Sequence, residues 1–378
     1  MLSTSLKKDM LNILKKLISF NTQNPPGLTN EIIDYLISNV LKEEEGFQNE
    51  IYEFKKDDIS LHNLVSKIGN GDRKIVFSGH FDTVPIGELN KWKYPPLSGE
   101  IVEGNIYGRG SADMKGGLVS IIGLLKYLSN IEKLKEKFTF IFAGTADEEA
   151  GMLGSQFLSN NTNLMDNVNL LVILEPTNLN IGIAQKGVLW ARVIIHGKAA
   201  HGSMPHKGIN AIEGAASLIA KLKGCLEEKQ NPILGESTLN IGKINGGSVI
   251  NVVPEKAEID IDFRLIPEQS PKSLINNLKL LKSLHCRVDI QIPVQLPALK
   301  NDSHHPFITN LKQISHKEII GLSYATDAAY LINPKKTTPF VIFGPGDPKR
   351  IHKVNEYVSL EQVYNCSEFL LKGIMKTY

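Results

Sequence analysis

Short apolar runs alternate with longer helical patterns through the first half of this 378-residue chain, and that alternation most constrains its fold. Residues 74–78, 138–143 and 169–174 are predicted strands, and residues 112–129 are a predicted helix. Strands that alternate with helices are typical of an α/β domain whose sheet is at least partly parallel. Ligands bind such sheets just beyond the carboxyl ends of the strands, so the residues that follow each run are candidate site residues.

The pattern changes near Gly187, where strands predominate around two helices. The predicted strands span residues 188–196, 238–245, 256–265 and 287–293, and the predicted helices lie near residues 209–228 and 271–283. Along residues 256–265 apolar and polar side chains alternate strictly, which indicates a sheet with one buried and one open face. These features predict a separate α+β domain over residues 186–296.

The first pattern returns after the stretch 293–297. A helix is predicted near residues 306–320, a strand at residues 340–343 and a terminal helix from Leu360. We therefore predict that residues 1–185 and 297–378 form one domain into which the second is inserted. His352, which follows the last strand, is expected to return to the sheet edge where the earlier strands end.

Charge and composition exclude several classes of protein. Lys and Arg number 42 against 40 Asp and Glu, a formal net charge of +2 that is too balanced for a nucleic-acid or membrane-surface binder.

Residues 116–125, the longest apolar stretch, fall short of the ~20 residues needed to cross a bilayer. The amphipathic residues 1–20 lack the apolar core of a signal peptide, and three scattered cysteines suit reduced thiols. We expect a cytoplasmic protein.

Histidines and carboxylates cluster after the predicted strands. The set comprises His80, Asp82, Asp113, Glu148, Glu149, Glu175 and His352. Imidazole and carboxylate suit Zn²⁺, and Co²⁺ or Mn²⁺ with overlapping geometry. Two histidines and three carboxylates exceed the roughly three protein ligands of one catalytic zinc, but they fit two metals that share a bridging carboxylate. The sequence therefore predicts a two-metal site.

Each member of this set receives a distinct predicted role. His80 and Glu175 hold one metal, Glu149 and His352 hold the other, and Asp113 bridges them. Asp82 lies two residues after His80 and is expected to accept the second N–H of that imidazole. Glu148 is expected to take a proton from the attacking water and to pass it to the leaving amine.

Five motifs resemble those of the M20 family of di-zinc metallohydrolases. They are GHFDTVP at 79–85, YGRGSADMKGG at 107–117, TADEE at 145–149, LEPT at 174–177 and IHKVNE at 351–356. Within the family they look most like the branch of acetylornithine deacetylase, succinyl-diaminopimelate desuccinylase and glutamate carboxypeptidase. The resemblance implies two zinc ions and a zinc-exopeptidase-like catalytic domain, which is a mixed sheet with helices on both faces. It also implies that the inserted α+β domain is a lid and dimerisation domain.

The resemblance extends to three residues of the insert. GKAAHGSMPH at 197–206 resembles a segment whose first histidine, here His201, reaches the active site of the neighbouring subunit of a homodimer and stabilises the oxyanion. Asn251 and Arg264 resemble substrate-binding positions, and a guanidinium suits the α-carboxylate of an amino acid. Pairing of Arg264 with acidic neighbours on its own strand face stays open as an alternative. Asp327 lies in a segment that the family places beside the active site.

These features together predict a metal-dependent amidohydrolase that removes an N-acyl group from an amino acid, with a role in amino-acid biosynthesis. Water activated by the metals would attack the amide carbonyl. Two alternatives stay open. One is a glutamate carboxypeptidase-like or dipeptide-cleaving metallopeptidase on the same site, and the other is a non-catalytic metal-binding dimer.

Overall fold

The structure is a computed structural model that describes residues 2–281, 283, 285–332 and 338–378. The chain divides into two compact units. The first unit comprises Met1–Ile183, Asn301–Ile320 and Thr326–Tyr378, and the second comprises Ala184–Lys300 and Gly321–Ala325. The sequence analysis predicts an inserted domain over residues 186–296, whereas the second unit spans Ala184–Lys300 and also includes Gly321–Ala325, which the sequence did not indicate.

The helices of the described residues are α1 (Thr4–Ser19), α2 (Asn30–Asn39), α3 (Gly116–Leu128), α4 (Glu132–Lys137), α5 (Leu153–Asn161), α6 (Ala211–Leu222), α7 (Pro271–Leu280), α8 (Pro306–Ser315), α9 (Ala328–Leu331) and α10 (Leu360–Thr377). Side-chain caps fix where several of them begin. The side chains of Ser3, Asn210, Ser270 and Ser359 accept hydrogen bonds from backbone N–H groups in the first turns of α1, α6, α7 and α10. These contacts satisfy donors that have no partner inside the helix.

The strands of the described residues are β1 (Gln48–Lys56), β2 (Ile59–Ile68), β3 (Arg73–His80), β4 (Glu100–Val102), β5 (Asn105–Tyr107), β6 (Phe138–Thr145), β7 (Val168–Pro176), β8 (Ile181–Gln185), β9 (Gly187–His196), β10 (Ala200–His201), β11 (Gln230–Asn231), β12 (Gly235–Glu236), β13 (Thr238–Gly246), β14 (Val252–Val253), β15 (Lys256–Leu265), β16 (Arg287–Leu296), β17 (Leu299–Lys300), β18 (Ile319–Leu322), β19 (Phe340–Gly344) and β20 (Tyr357–Ser359). The predicted strands are all present, and most extend by one to three residues.

The main sheet of the first unit is mixed. Its strands lie in the order β1-β2-β6-β3-β7-β19-β8. Strand β3 is parallel to both β6 and β7, and β7 is parallel to β19, whereas β1, β2 and β8 join by antiparallel pairing. The predicted mixed sheet of an α/β domain is confirmed.

The register of the central strands brings their carboxyl ends to one edge of the sheet. His80 at the end of β3 pairs with Thr145 at the end of β6, and Gly344 of β19 pairs with Pro176 of β7. These strands are buried almost throughout, as is typical of parallel strands that are covered on both faces. The residues that directly follow these strands therefore lie close together at this edge of the sheet.

Helix α3 begins later than its sequence pattern predicts. The apolar pattern starts at Ala112, but Asp113 (φ −120°, ψ 91°) and Met114 (φ −135°, ψ 35°) have non-helical backbone angles, and regular helix begins at Gly116. A Cβ atom on Gly117 would lie 2.3 Å from the carbonyl oxygen of Leu174 in β7. The absent side chain allows this close approach between the helix and the sheet.

The second unit contains an antiparallel sheet with the strand order β13-β15-β9-β16. Its β15 strand alternates between buried and partly exposed side chains, as predicted. The buried face packs against α6 and α7 around Phe263 and Leu218. The opposite face carries polar pairs such as Arg192 with Asp260.

No helix of the described residues has both the length and the apolar character needed to cross a membrane.

We predict that Phe142→Ala lowers the free energy of unfolding by about 3–5 kcal/mol, because the ring is fully buried in β6 and makes an edge contact with Phe81. Ile51→Ala is the matched control, since this side chain is half-exposed on β1 of the same sheet. The control should change stability by about 0.5 kcal/mol or less. Denaturant unfolding of the metal-free protein measures both, and equal effects would contradict the described packing.

Candidate metal centre

Five of the predicted site residues form two groups that share one carboxylate. His80, Asp113 and Glu175 make the first group, and Asp113, Glu149 and His352 make the second. Within each group one potential ligand atom per residue lies within 4.8 Å of the others. All five residues belong to the first unit. The structure thus brings together residues that are up to 272 positions apart in the sequence (352 − 80).

The first group is centred on the buried imidazole of His80. Its Nε2 atom lies 3.2 Å from Oδ1 of Asp113 and 3.7 Å from Oε1 of Glu175. Its Nδ1 atom lies 2.9 Å from the main-chain carbonyl oxygen of Asp82. Because a carbonyl only accepts, Nδ1 carries the proton in the neutral ring, and the Nε2 lone pair is directed toward the carboxylates.

The second group places a half-exposed imidazole against two carboxylates. Nε2 of His352 lies 3.2 Å from Oδ2 of Asp113 and 3.0 Å from Oε2 of Glu149. The two oxygens of Asp113 are therefore divided, with Oδ1 toward His80 and Oδ2 toward His352. This is the arrangement required of a carboxylate that bridges two metal ions.

The Asp82 side chain makes different contacts from those predicted. Its carboxylate lies 3.7 Å from Nδ1 of His80, and the hydrogen bond comes from the ring to the main-chain carbonyl instead. Strand β3 ends at His80, so the strand alternation that would direct both side chains to one face does not continue. The carboxylate accepts the N–H groups of Glu148 and Glu149, at 3.1 and 3.2 Å.

Asn24 joins this turn to a second buried carboxylate. Its Nδ2 group donates to Asp82 at 2.8 Å and to Asp147 at 2.9 Å, and Lys56 also donates to Asp147 at 2.5 Å. Asp147 adopts a positive φ of 68°, which starts the tight turn that carries Glu148. Neither Asn24 nor Lys56 lies in a motif, so the sequence pattern did not point to them, although Asp147 lies within TADEE.

Asp327 lies behind the same strand end. Its Oδ2 atom accepts a hydrogen bond from Thr145 at 2.5 Å, and Thr145 pairs with His80 in the sheet register. Burial raises the pKa of Asp327. This contact connects the segment before α9 with the end of β6.

Hydrogen bonds and charge oppose burial at the histidines. Burial lowers the pKa of His80, but the hydrogen bond to Asp113 and the charges of Glu148 and Glu175 outweigh it and raise the pKa well above its ordinary value. Hydrogen bonds with Asp113 and Glu149 raise the pKa of His352 to about 10. Positive charge is therefore strongly favoured at this location.

The pKa values of the carboxylates also depart from their ordinary range. Burial raises the pKa of Glu148, Glu149 and Glu175, and nearby carboxylates add to the increase. Burial also acts to raise the pKa of Asp113, but hydrogen bonds with His352 and His80 hold it below its ordinary value. Divalent cations would relieve this crowding of negative charge, and the imidazole and carboxylate donors suit zinc. The residues present therefore fit two metal ions.

Glu148 lies beside the first group without belonging to either group. Its Oε2 atom is 3.9 Å from Nε2 of His80, and its side chain is about nine-tenths buried. It lies on the short turn Glu148–Ala150 that directly follows Asp147. The position leaves a carboxylate available next to the ligand atoms.

The other predicted site residues lie in the second unit. His201 is exposed, and its Nδ1 atom accepts the N–H of Ser203 at 3.1 Å. The Asn251 carbonyl accepts the N–H of Gly202 at 2.7 Å, so the segments of His201 and Asn251 adjoin. Arg264 donates through Nε to Asp262 of its own strand at 3.1 Å, which is the alternative pairing noted from the sequence.

Comparison with known proteins identifies the family. Residues 76–376 match the family described as Peptidase family M20/M25/M40. A probable succinyl-diaminopimelate desuccinylase of Staphylococcus epidermidis is 28% identical over an alignment 408 positions long, gaps included, that covers 98% of each chain. An acetylornithine deacetylase of Aliivibrio fischeri is 30% identical over an alignment 346 positions long, gaps included, that covers 88% of each chain.

A solved structure has the same fold over nearly the full length. An M20 family metallo-carboxypeptidase from Sulfolobus solfataricus superimposes with a TM-score of 0.78 over 97% of this chain and 99% of its own, at 17% identity. The resemblance drawn from the five motifs is confirmed. The chain therefore belongs to peptidase family M20/M25/M40 and is a hydrolase that acts on amide bonds.

Proposed function

We propose that the protein is a metal-dependent amidohydrolase that removes an N-acyl group from an amino acid, as acetylornithine deacetylase and succinyl-diaminopimelate desuccinylase do. The observation that carries the proposal is the pair of ligand groups sharing Asp113, with the carboxylate of Glu148 beside them. The names of the two relatives support this substrate class.

In this proposal the two groups hold one divalent ion each. His80 and Glu175 would hold one ion, Glu149 and His352 would hold the other, and Asp113, which belongs to both groups, would serve both ions. When bound, such ions polarise the scissile carbonyl and lower the pKa of a water molecule. Zinc is the proposed metal from the donor set, with Co²⁺ and Mn²⁺ as the alternatives that metal analysis would distinguish.

Glu148 is the proposed proton carrier. Its carboxylate accepts a proton from the attacking water and then delivers it to the nitrogen of the leaving amine. Asp82 positions this residue, because the Asp82 carboxylate accepts the main-chain N–H groups of both Glu148 and Glu149. The same turn thus fixes a ligand and the proton carrier together.

His201 is the proposed donor to the oxyanion, acting from the second subunit of a homodimer. Its Nδ1 accepts a main-chain N–H, so the neutral ring carries its proton on Nε2 and can donate from there. Apolar side chains of the second unit, including Met204, Ile212, Val249 and Ile250, are exposed. Exposed apolar patches are characteristic of protein interfaces and support the homodimer.

Substrate binding is assigned to Arg264 and Asn251. The planar guanidinium of Arg264 uses Nε for Asp262, and its remaining N–H donors suit the α-carboxylate of an amino acid. The adjoining segments of Asn251 and His201 support a shared role for these two residues.

We also propose a cytoplasmic location for the enzyme. Cys225, Cys286 and Cys366 are all free thiols. Unpaired cysteines are typical of a reducing compartment, which supports the proposal.

The first prediction concerns metal and substrate together. Metal-stripped protein should be inactive, and activity should rise with Zn²⁺ up to two equivalents per chain, because both ligand groups must be filled. The assay uses N-acetylornithine, N-succinyl-diaminopimelate, a glutamyl amide and simple dipeptides. Cleavage of dipeptides or the glutamyl amide alone would replace the deacylase with the metallopeptidase, and no hydrolysis by protein that holds two ions would favour the non-catalytic dimer.

Glu148→Gln should reduce kcat about 10²- to 10⁴-fold, because the amide cannot carry the proton. Metal content should stay at two ions per chain, since Glu148 belongs to neither ligand group. Glu44→Gln is the matched control at an exposed glutamate and should leave kcat unchanged. Wild-type turnover by Glu148→Gln would overturn the assigned role.

Action of His201 in trans predicts complementation. Glu148→Ala and His201→Ala chains should each be inactive, but an equal mixture should recover about a quarter of wild-type activity, because half of the dimers are mixed and each has one intact site. Subunit exchange is checked with differently tagged chains. Demonstrated exchange without recovery would show that His201 does not act across subunits.

A further inference from the structure

A buried ion pair lies behind the metal ligands of the first unit. Arg109 and Glu356 are 3% and 1% exposed, and Nη1 of Arg109 donates to Oε2 of Glu356 at 2.6 Å. Neither residue belongs to a ligand group or contacts Glu148 in the contacts described above. Both side chains nevertheless form hydrogen bonds with main-chain groups at or next to predicted metal ligands. Glu356 does so at Asp113, and Arg109 does so next to His352.

Glu356 holds the segment that contains the shared ligand. Its second oxygen, Oε1, accepts the N–H groups of Ala112 and Asp113, at 2.9 and 3.1 Å. Asp113 has non-helical backbone angles, so its main chain departs from regular helix at the point where this carboxylate binds it. The Glu356 carboxylate therefore supplies a fixed anchor for Asp113.

Arg109 holds the segment that contains the second histidine. Its Nη1 also donates to the carbonyl of Lys353 at 3.1 Å, and Nη2 donates to the carbonyl of Pro85 at 3.2 Å. His352, directly before Lys353, adopts a φ of +61°, in the left-handed region that few residues other than glycine favour. Such a backbone conformation persists only where surrounding contacts maintain it.

We propose that Arg109 and Glu356 are positioning residues for the two-metal centre, with unequal effects on the two ions. Glu356 acts through Asp113 and so supports both ions, whereas Arg109 acts through the backbone at His352 and so supports chiefly the second ion. The inference rests on the ligand assignment of the proposed function. It adds two residues whose role is to hold ligands rather than to touch metal or substrate.

The guanidinium of Arg109 is suited to holding the backbone next to His352. One planar fork contacts the carboxylate and two carbonyl oxygens, and it also lies 5.2 Å from the ring centre of Trp92. Lysine keeps the charge but offers a single donor atom without the fork geometry. Arg109→Lys therefore preserves the ion pair while releasing carbonyl contacts.

The test is calorimetric titration of metal-stripped protein with Zn²⁺. His352→Ala removes a ligand of the second group only. The binding step that this variant weakens is therefore assigned to the second ion. Arg109→Lys should weaken the second ion by roughly 10- to 100-fold and the first ion by a smaller factor. Glu356→Gln should weaken both ions by a similar factor of roughly 10- to 100-fold. Arg192→Lys, at an exposed pair with Asp260, is the matched control and should change neither.

A second comparison separates positioning from general loss of stability. In the His352→Ala background only the affinity for the first ion is measured. There Arg109→Lys should change its affinity less than about threefold, whereas Glu356→Gln should still weaken it roughly tenfold or more. Equal weakening of the first ion by both variants would overturn the unequal roles.

Two outcomes distinguish this inference from the proposed function. Wild-type protein that does not bind two ions would contradict the ligand assignment itself. Wild-type protein that binds two ions, together with unchanged binding by both variants, would overturn the positioning role alone. Circular dichroism of the metal-free variants checks folding, and failure of both to fold would assign the pair to fold stability instead and overturn the proposal.

Discussion

The shared carboxylate of Asp113 is the interaction on which the site depends. One oxygen faces His80 and the other faces His352, so a single side chain connects the end of β3 with the segment after β19. Burying several carboxylates together is unfavourable unless positive charge accompanies them. The positions of Glu149 and Glu175 follow from the same requirement, since each places a further oxygen beside one imidazole.

Sequence patterns predicted the strand ends well because a parallel sheet leaves little freedom there. Burial on both faces demands continuous apolar runs, and the predicted runs end two residues before the chain leaves the sheet at His80, Thr145 and Pro176. The alternating β15 strand was equally predictable, since one face packs on helices and the other is open. The β1–β2 hairpin escaped notice, because its burial follows a less regular pattern.

Residues whose roles depend on turn geometry could not be predicted. The contacts of Asp82 follow from the end of β3 and from the positive φ of Asp147, and neither is encoded in a periodic pattern. Asn24 is distant in sequence from both carboxylates that it joins, so only the folded chain reveals the connection. The start of α3 illustrates the same limit, because apolar spacing alone does not show that Asp113 lies outside the helix.

The discontinuous first unit has a consequence for synthesis of the protein on the ribosome. Residues up to Ile183 already contain His80, Asp113, Glu149 and Glu175, whereas His352 belongs to the last of its three segments. During translation the first ligand group is therefore complete well before the second, which still lacks His352. Under the proposed function, binding of the second ion therefore requires synthesis of the third segment, whereas the ligands of the first ion all precede it.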